Sequence, residues 1–187
     1  MVISNFAIML VGLPASGKST YAEKLAKHVN VEIISSDTIR AELTGDINNQ
    51  DRNNEVFEIV YRRVEEALHE GKNIIVDSTA LKVDYRKKFV EICKKFEVFC
   101  IVWEITSSVK TCLRRNTKRD RQVPEDIILQ MAESYELPQL SEGFDMIVQN
   151  EWMIKIADIW LSKSYRDLQK LRRKNEAKID STDSSKV

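Results

Sequence analysis

Short apolar runs rich in Ile, Val and Phe alternate along the chain with longer segments in which apolar residues recur every three or four positions. The runs predict buried β-strands and the segments predict amphipathic helices. Strands that alternate with helices are typical of an α/β fold, in which helices cover a parallel sheet. We therefore expect a sheet of five strands, at residues 6–11, 31–35, 73–77, 98–105 and 144–148.

Six helices are expected around these strands, at residues 18–29, 38–43, 54–69, 84–96, 107–116 and 124–135. Apolar residues at helical spacing mark one buried face of the third helix, and these are Val56, Val60, Val64, Ala67 and Leu68. The polar stretch at residues 45–54 is rich in Asn and Asp, so it is predicted as a loop within the domain.

The chain has 187 residues, which is the size of one ordinary globular domain. We expect this domain to span residues 1–150. Residues 151–179 return to a helical pattern and are predicted to pack on the domain as a C-terminal helical extension, with a homo-oligomer seam as the alternative. Residues 180–187 are rich in Ser and Asp and are predicted to be a disordered tail.

Composition excludes several classes of protein. With 43% apolar residues, 31% charged residues, five Gly and three Pro, the chain is neither a disordered nor a collagen-like sequence. Its three cysteines form no Cys-x-x-Cys pair and no even set, which argues against a zinc site and a disulfide framework and favours a reducing, cytoplasmic location. The apolar N-terminal run is far shorter than the roughly 20 residues of a membrane span, so no membrane partner is expected.

The strongest chemical signal is the sequence GLPASGKST at residues 12–20, between the first strand and the first helix. It matches Gly, four residues, Gly-Lys-Ser/Thr, in which glycine lets successive backbone N–H groups converge on phosphate oxygens. Lys18 can then reach the β- and γ-phosphates, and the Ser19 hydroxyl is the expected Mg²⁺ ligand. We expect ATP and Mg²⁺ as cofactors, with nucleotide contacts from Gly12, Pro14, Ala15, Ser16, Gly17, Lys18, Ser19 and Thr20.

Two motifs bear on where the γ-phosphoryl group goes. The guanine-reading sequence Asn-Lys-x-Asp of regulatory GTPases is not matched, because residues 116–120 have the wrong spacing. Motor and AAA-type ATPases commonly end a strand with Asp-Glu, and the Glu polarises water, whereas Asp77 is followed by Ser78. This difference favours transfer to an acceptor over hydrolysis.

Polar residues follow the second and third strands, at the sheet edge where α/β proteins bind ligands. Asp37 and Arg40 would share one face of the second helix, where Asp37 can accept the proton of a hydroxyl and Arg40 can hold an anionic group. The alternative is that Ser36 or Asp37 only caps the helix. After the third strand, Asp77 could orient the acceptor or hold a metal-bound water, with a strand-end turn as the alternative, and Thr79 extends this edge.

The run at residues 114–121 carries five basic residues and one acidic residue between two predicted helices. It can form a mobile lid, whose arginines would compensate the charge of the transferred phosphoryl group and exclude water. A solvated run of charges is the alternative.

Four segments resemble, in order and separation, the kinase domain of bacteriophage and bacterial polynucleotide 5′-hydroxyl kinases, within the adenylate-kinase-like group of P-loop proteins: GLPASGKST, SSDTIR, IIVDST and RRNTKRDRQVPEDI. The resemblance covers residues 5–150 and implies phosphoryl transfer from ATP to a DNA or RNA 5′-hydroxyl end. Lys18 and Ser19 match the loop residues of that family. The other roles that it implies are general base for Asp37, acceptor-phosphate contact for Arg40, acceptor-pocket carboxylate for Asp77, donor-phosphate contact for Arg119, and donor-nucleotide contact for Arg115.

Other functions are compatible with the same motifs. A small-molecule or nucleotide kinase of the same fold would have a closed acceptor pocket in place of a path for a strand. A sugar kinase or a toxin kinase could carry the same carboxylate and arginines. A nucleotide-responsive binding module would bind ATP without turnover and would use the C-terminal helix to contact a partner.

Overall fold

A computed structural model describes residues 5–47, 49 and 51–150 of the chain. The strands in this part are β1 Phe6–Val11, β2 Glu32–Ser35, β3 Ile74–Asp77, β4 Phe99–Glu104 and β5 Met146–Gln149. They form one sheet in the order β2-β3-β1-β4-β5, and every neighbouring pair is parallel. The predicted α/β fold with five parallel strands is confirmed.

Each of the six predicted helices is present. They are α1 Lys18–Ala26, α2 Ser36–Thr44, α3 Asn53–His69, α4 Val83–Lys95, α5 Val109–Asn116 and α6 Glu125–Glu133. A short 3₁₀ helix at Leu140–Glu142 was not predicted, because three residues are too few for a periodic pattern.

Several boundaries differ from the prediction for local reasons. Helix α2 begins two residues early, because the Ser35 hydroxyl accepts a hydrogen bond from the Thr38 backbone N–H at 3.3 Å. Ser35 is therefore the capping residue, and the assignment of this role to Ser36 or Asp37 was wrong. Strand β5 begins two residues late, because the Asp145 carboxylate accepts from the Cys100 backbone N–H at 2.8 Å.

Helices cover both faces of the sheet. On one face Met9, Val76 and Val102 pack with α3 and α4, and on the other Ile8 and Ile101 pack with α1. Burial of both faces explains why the strands are continuously apolar instead of alternating. The predicted apolar face of α3 is buried at all five of its positions.

One buried ion pair holds the chain after β3 against the 3₁₀ helix. Arg86 on α4 is fully buried, and its Nε and Nη2 donate to the Glu142 carboxylate at 2.8 and 2.9 Å. Its Nη1 donates to the Ala80 carbonyl at 3.0 Å. The guanidinium thus fixes the segment that begins at the ligand-binding edge of the sheet.

Residues 151–187 lie outside the described residues, and so do the predictions of a helical extension at 151–179 and a tail at 180–187. Within the part of the chain that is described, no helix combines the length and the apolar character needed to cross a bilayer.

We expect Glu142→Gln to lower the free energy of unfolding by about 3–5 kcal/mol, since removal of one partner leaves the buried Arg86 guanidinium uncompensated. Glu42→Gln is the matched control, because it breaks the half-exposed ion pair with Arg63 and should cost about 0–1 kcal/mol. Urea unfolding of both variants measures the difference. Equal losses in the two variants would contradict a special role for the buried pair.

Candidate active site

The phosphate-binding loop connects β1 to α1 and depends on two glycines. Gly12 has φ 152° and Gly17, at the N-cap of α1, has φ 111°, which are conformations that L side chains rarely adopt. A Cβ on Gly12 would lie 2.7 Å from the Ile105 carbonyl oxygen. The Gly12 N–H donates to the Thr79 carbonyl at 3.2 Å, which joins the loop to the chain after β3.

Lys18 is the buried cation of this loop. Its ammonium donates to the carbonyls of Gly12 and Leu13 at 2.9 and 2.8 Å. Burial lowers the pKa of Lys18, and the nearby carboxylates of Asp77 and Asp37 oppose this shift. The ammonium is thus held at the mouth of the loop, between two acidic side chains and the N-terminus of α1.

Asp77 lies at the end of β3, next to the loop, because β3 pairs directly with β1. Burial raises the pKa of the Asp77 carboxyl, whereas a hydrogen bond from Ser19 and the charge of Lys18 oppose the rise. This contact with Ser19 fits the metal-side role that the sequence left open for Asp77.

Ser19 and Asp77 supply oxygen ligands of the kind that Mg²⁺ prefers. Among the described residues no group of three or more His, Cys, Asp or Glu side chains could hold a metal ion by itself. This donor set fits Mg²⁺, which is usually bound by one or two protein oxygens together with substrate phosphates and water.

Asp37, in the first turn of α2, contacts two arginines through different oxygens. Its Oδ1 accepts from Arg40 Nη1 at 2.8 Å, and its Oδ2 accepts from Arg121 Nη1 at 2.5 Å. Arg40 also donates to Asn53 Oδ1 at 2.7 Å, and Arg121 donates to the Ile47 carbonyl at 2.9 Å. The expectation that Asp37 and Arg40 share one helix face is correct.

The two arginine contacts differ in how firmly they are held. The Arg40 side chain is 5% exposed, and its Nε lacks a hydrogen-bond partner among the described residues. The Asp37 side chain is 44% exposed and that of Arg121 is 20% exposed. A partly exposed ion pair contributes only about 0–1 kcal/mol, so the contact between Arg121 and Asp37 is readily exchanged for another.

The basic run divides into two parts in the structure. Arg115 belongs to α5 and donates to the Ser16 carbonyl at 2.8 Å, so it contacts the phosphate-binding loop directly. Residues 117–124 form the connection between α5 and α6, which we call the basic loop. The buried Asn116 side chain closes this loop by donating to the Val123 carbonyl at 2.7 Å and accepting from the Val123 N–H at 3.0 Å.

Arg119 and Arg121 lie on this closed loop, two residues apart. Arg119 lines the same cleft as the phosphate-binding loop, and its charge adds slightly to the lowering of the Lys18 pKa that burial causes. Arg121 contacts Asp37 on the opposite side.

Lys18, Ser19, Asp37, Asp77 and the arginines described above line one cleft of about 1350 Å³. The cleft is larger than the roughly 300–1000 Å³ of a site for one small ligand, so it has room for a donor and an acceptor together. Every site residue predicted from the sequence lines it except Gly12: Pro14, Ala15, Ser16, Gly17, Lys18, Ser19, Thr20, Asp37, Arg40, Asp77, Thr79, Arg115 and Arg119.

Three parts of this cleft could not be predicted from the sequence. Asn53 and Phe57 of α3 line the cleft near Arg40, but Asn53 fell in the predicted loop and Phe57 in a helix identified from its apolar face alone. Arg121 was recognised only as a member of the basic run, because its partner Asp37 is 84 positions away in the chain. The apolar face of α6 contributes Ile127 and Met131.

A family model described as an AAA domain, AAA_33, matches residues 8–138 of the chain. The bifunctional polynucleotide phosphatase/kinase of Schizosaccharomyces pombe is 25% identical over 142 residues, which cover 73% of this chain and 31% of that protein. The L-seryl-tRNA(Sec) kinase of Methanococcus maripaludis is 26% identical over 154 residues, which cover 74% of this chain and 56% of that protein. The chain thus spans about a third to a half of the length of these curated relatives.

A solved structure of a sugar kinase from Janibacter sp. HTCC2649 superposes with a TM-score of 0.63 at 18% identity, covering 84% of this chain and 94% of that one. This likeness shows the fold, which agrees with the parallel sheet and the phosphate-binding loop. The chain belongs to the AAA-domain family AAA_33, and its described domain has the fold of the P-loop kinases.

Proposed function

We propose that the protein is an ATP-dependent phosphotransferase that moves the γ-phosphate of ATP to the 5′-hydroxyl end of a polynucleotide. One observation carries this proposal. Asp37 lies in the same cleft as the phosphate-binding loop and is flanked by Arg40 and Arg121. A carboxylate beside two guanidinium groups is suited to accept the proton of a hydroxyl whose neighbour in the acceptor is a phosphate.

On the donor side, the loop N–H groups and the helix dipole of α1 bind the ATP phosphates. Lys18 leaves its loop carbonyls for the β- and γ-phosphates, and Arg115 and Arg119 add positive charge where negative charge develops during transfer. Ser19 and Asp77 would hold Mg²⁺, which when bound neutralises charge on the phosphate oxygens.

On the acceptor side, Arg40 binds the phosphate next to the terminal hydroxyl and orients that hydroxyl toward Asp37. The Asp37 carboxylate takes the hydroxyl proton as the oxygen attacks the γ-phosphorus. The new phosphorus–oxygen bond forms as the bond to the β-phosphate oxygen breaks, and ADP leaves. The residue directly after Asp77 is Ser78, so the strand does not end in the Asp-Glu pair whose Glu activates water in ATPases.

Both curated relatives support an acceptor hydroxyl that is carried on nucleic acid, since one is named for polynucleotides and the other for L-seryl-tRNA(Sec). A small-molecule kinase is the second candidate. The apolar side chains of Phe57, Ile127 and Met131 along the cleft favour it, because such a wall suits a compact acceptor. The sugar kinase of similar fold agrees with this alternative.

We expect Asp37→Asn to lower the rate of phosphoryl transfer about 10²- to 10⁴-fold while ATP affinity stays nearly unchanged, because only proton acceptance is removed. Transfer of γ-labelled phosphate to 5′-hydroxyl DNA and RNA oligonucleotides, nucleosides and sugars measures the rate. Lys18→Ala is the comparison, since it should lose ATP binding and rate together. Equal losses of ATP affinity and rate in Asp37→Asn would mean a structural role for Asp37.

Salt separates the two candidate functions. A single strand bound through three phosphates should lose acceptor affinity with a log–log slope of about −2, because neutralised phosphates release counterions. A nucleoside or sugar acceptor should respond much less over the same range. An oligonucleotide KM that does not change with salt would contradict the hypothesis that the acceptor is a polynucleotide strand.

The raised pKa of Asp77 predicts a pH effect on nucleotide binding. As the pH falls through this pKa, the carboxyl takes up a proton and loses its charge. The Mg²⁺-dependent affinity for ATP should therefore begin to decline at a pH higher than about 3.9, which is the usual pKa of an aspartate. Titration calorimetry at a series of pH values, with and without Mg²⁺, measures this decline. The Asp77→Asn variant should bind Mg²⁺–ATP more weakly and lose the decline, which distinguishes it from protonation of ATP itself. Wild-type affinity in Asp77→Asn would exclude the metal-side role.

A further inference from the structure

The catalytic carboxylate assigned above is occupied on both of its oxygens. Arg40 contacts Oδ1 and Arg121 contacts Oδ2, so two guanidinium groups from separate elements converge on one anion. A guanidinium on each oxygen stabilises the ionised carboxylate and makes it a weaker base, so loss of one of these contacts would make Oδ2 a better proton acceptor for an incoming hydroxyl.

The two arginines are held in different ways. Arg40 lies on the same helix as Asp37, is almost fully buried, and is fixed by Asn53. Arg121 arrives from the basic loop, 84 positions away, and also donates to the Ile47 carbonyl at 2.9 Å. It meets Asp37 where the carboxylate is nearly half exposed, so an incoming acceptor can reach this contact. Arg121 is therefore the contact that an acceptor can replace.

The chemistry of the replacement depends on the acceptor. A phosphate offers a guanidinium two charged oxygens in place of one, and two-pronged contacts of this kind are among the strongest hydrogen bonds of arginine. A neutral hydroxyl compound offers Arg121 no such exchange. Departure of Arg121 leaves Oδ2 to the hydroxyl, while Arg40 Nη1 keeps Asp37 in place through Oδ1 and its Nε, which has no partner among the described residues, stays available to the same phosphate.

We propose that Arg121 is a specificity residue that selects acceptors with a phosphate beside the attacking hydroxyl, by moving from Asp37 to that phosphate. The inference rests on the proposed phosphotransferase function and extends it. An acceptor without the phosphate would leave Asp37 engaged by Arg121 and would be phosphorylated slowly. Binding of the acceptor phosphate to Arg121 would thus free the Asp37 carboxylate to take the hydroxyl proton, without any further ligand.

The test compares adenosine 3′-monophosphate with adenosine, which carry the same 5′-hydroxyl and differ by one phosphate. For each variant, kcat/KM is measured by transfer from γ-labelled ATP, and acceptor affinity is measured by calorimetry with ADP present. The variants are Arg121→Gln, which removes the charge, and Arg121→Lys, which keeps the charge without the two-pronged geometry. Arg62→Gln on the exposed face of α3 is the matched control.

We expect the wild-type protein to prefer the 3′-monophosphate, and Arg121→Gln to reduce that preference at least about tenfold in both kcat/KM and affinity. The kcat/KM for adenosine should rise, because Asp37 is no longer engaged by Arg121. Arg121→Lys should restore part of the preference, and Arg62→Gln should keep all of it. A loss of structure would lower kcat/KM equally for the two acceptors. The ratio of the two values therefore distinguishes a loss of selection from misfolding.

An unchanged preference in Arg121→Gln would overturn the proposal. The calorimetric readout keeps this result separate from failure of the proposed function. The wild-type protein could transfer phosphate to neither compound and still bind the 3′-monophosphate more tightly through Arg121. That result would support phosphate selection by Arg121 and would contradict the proposed 5′-hydroxyl kinase activity. If the affinity ratio does not depend on Arg121, the selection is wrong whatever the activity.

Discussion

Parallel pairing of β1 with β3, and of β3 with β2, is the constraint on which the site depends. Parallel strands bring their carboxyl ends to one edge, so three segments distant in sequence end side by side. The phosphate-binding loop follows β1, Asp77 ends β3, and Asp37 follows β2, where Ser35 is directly opposite Asp77. A slip of one residue in either register would turn these side chains to the other face of the sheet.

Positive and negative side chains lie close together in the cleft, because a buried charge of either sign is costly without an opposite charge nearby. Lys18 is almost fully buried among loop carbonyls. Burial lowers the pKa of Lys18 and raises that of Asp77, which favours the neutral form of each side chain. The carboxylates of Asp77 and Asp37 oppose the shift of Lys18, and the hydroxyl of Ser19 and the charge of Lys18 oppose that of Asp77. In the proposed mechanism, ATP phosphates would add negative charge beside Lys18, Arg115 and Arg119.

The parts of the site that could be predicted from the sequence are those whose residues are close together in the chain. The loop at residues 12–20 and the pairing of Asp37 with Arg40 are local, so spacing alone located them. Five strands and six helices were predicted, because the strands are short continuous apolar runs and the helices have apolar residues at three- and four-residue spacing. The contact of Arg121 with Asp37 and that of Arg86 with Glu142 join distant segments, and no local pattern encodes which cation meets which anion.

The basic loop joins the donor and acceptor sides of the cleft because both of its flanking helices are attached to the sheet. Arg115 ties α5 to the phosphate-binding loop. Beyond α6, the Tyr135 hydroxyl donates at 2.5 Å to the buried Glu104 at the end of β4, and burial raises the pKa of this tyrosine, so it stays a donor. Both ends of the loop are thus anchored, and the segment between them carries Arg119, which lines the cleft, and Arg121, which contacts Asp37. In the proposed mechanism, a shift of Arg121 toward an acceptor phosphate would also move Arg119, because only one residue separates them, so acceptor binding and donor-phosphate stabilisation would be linked.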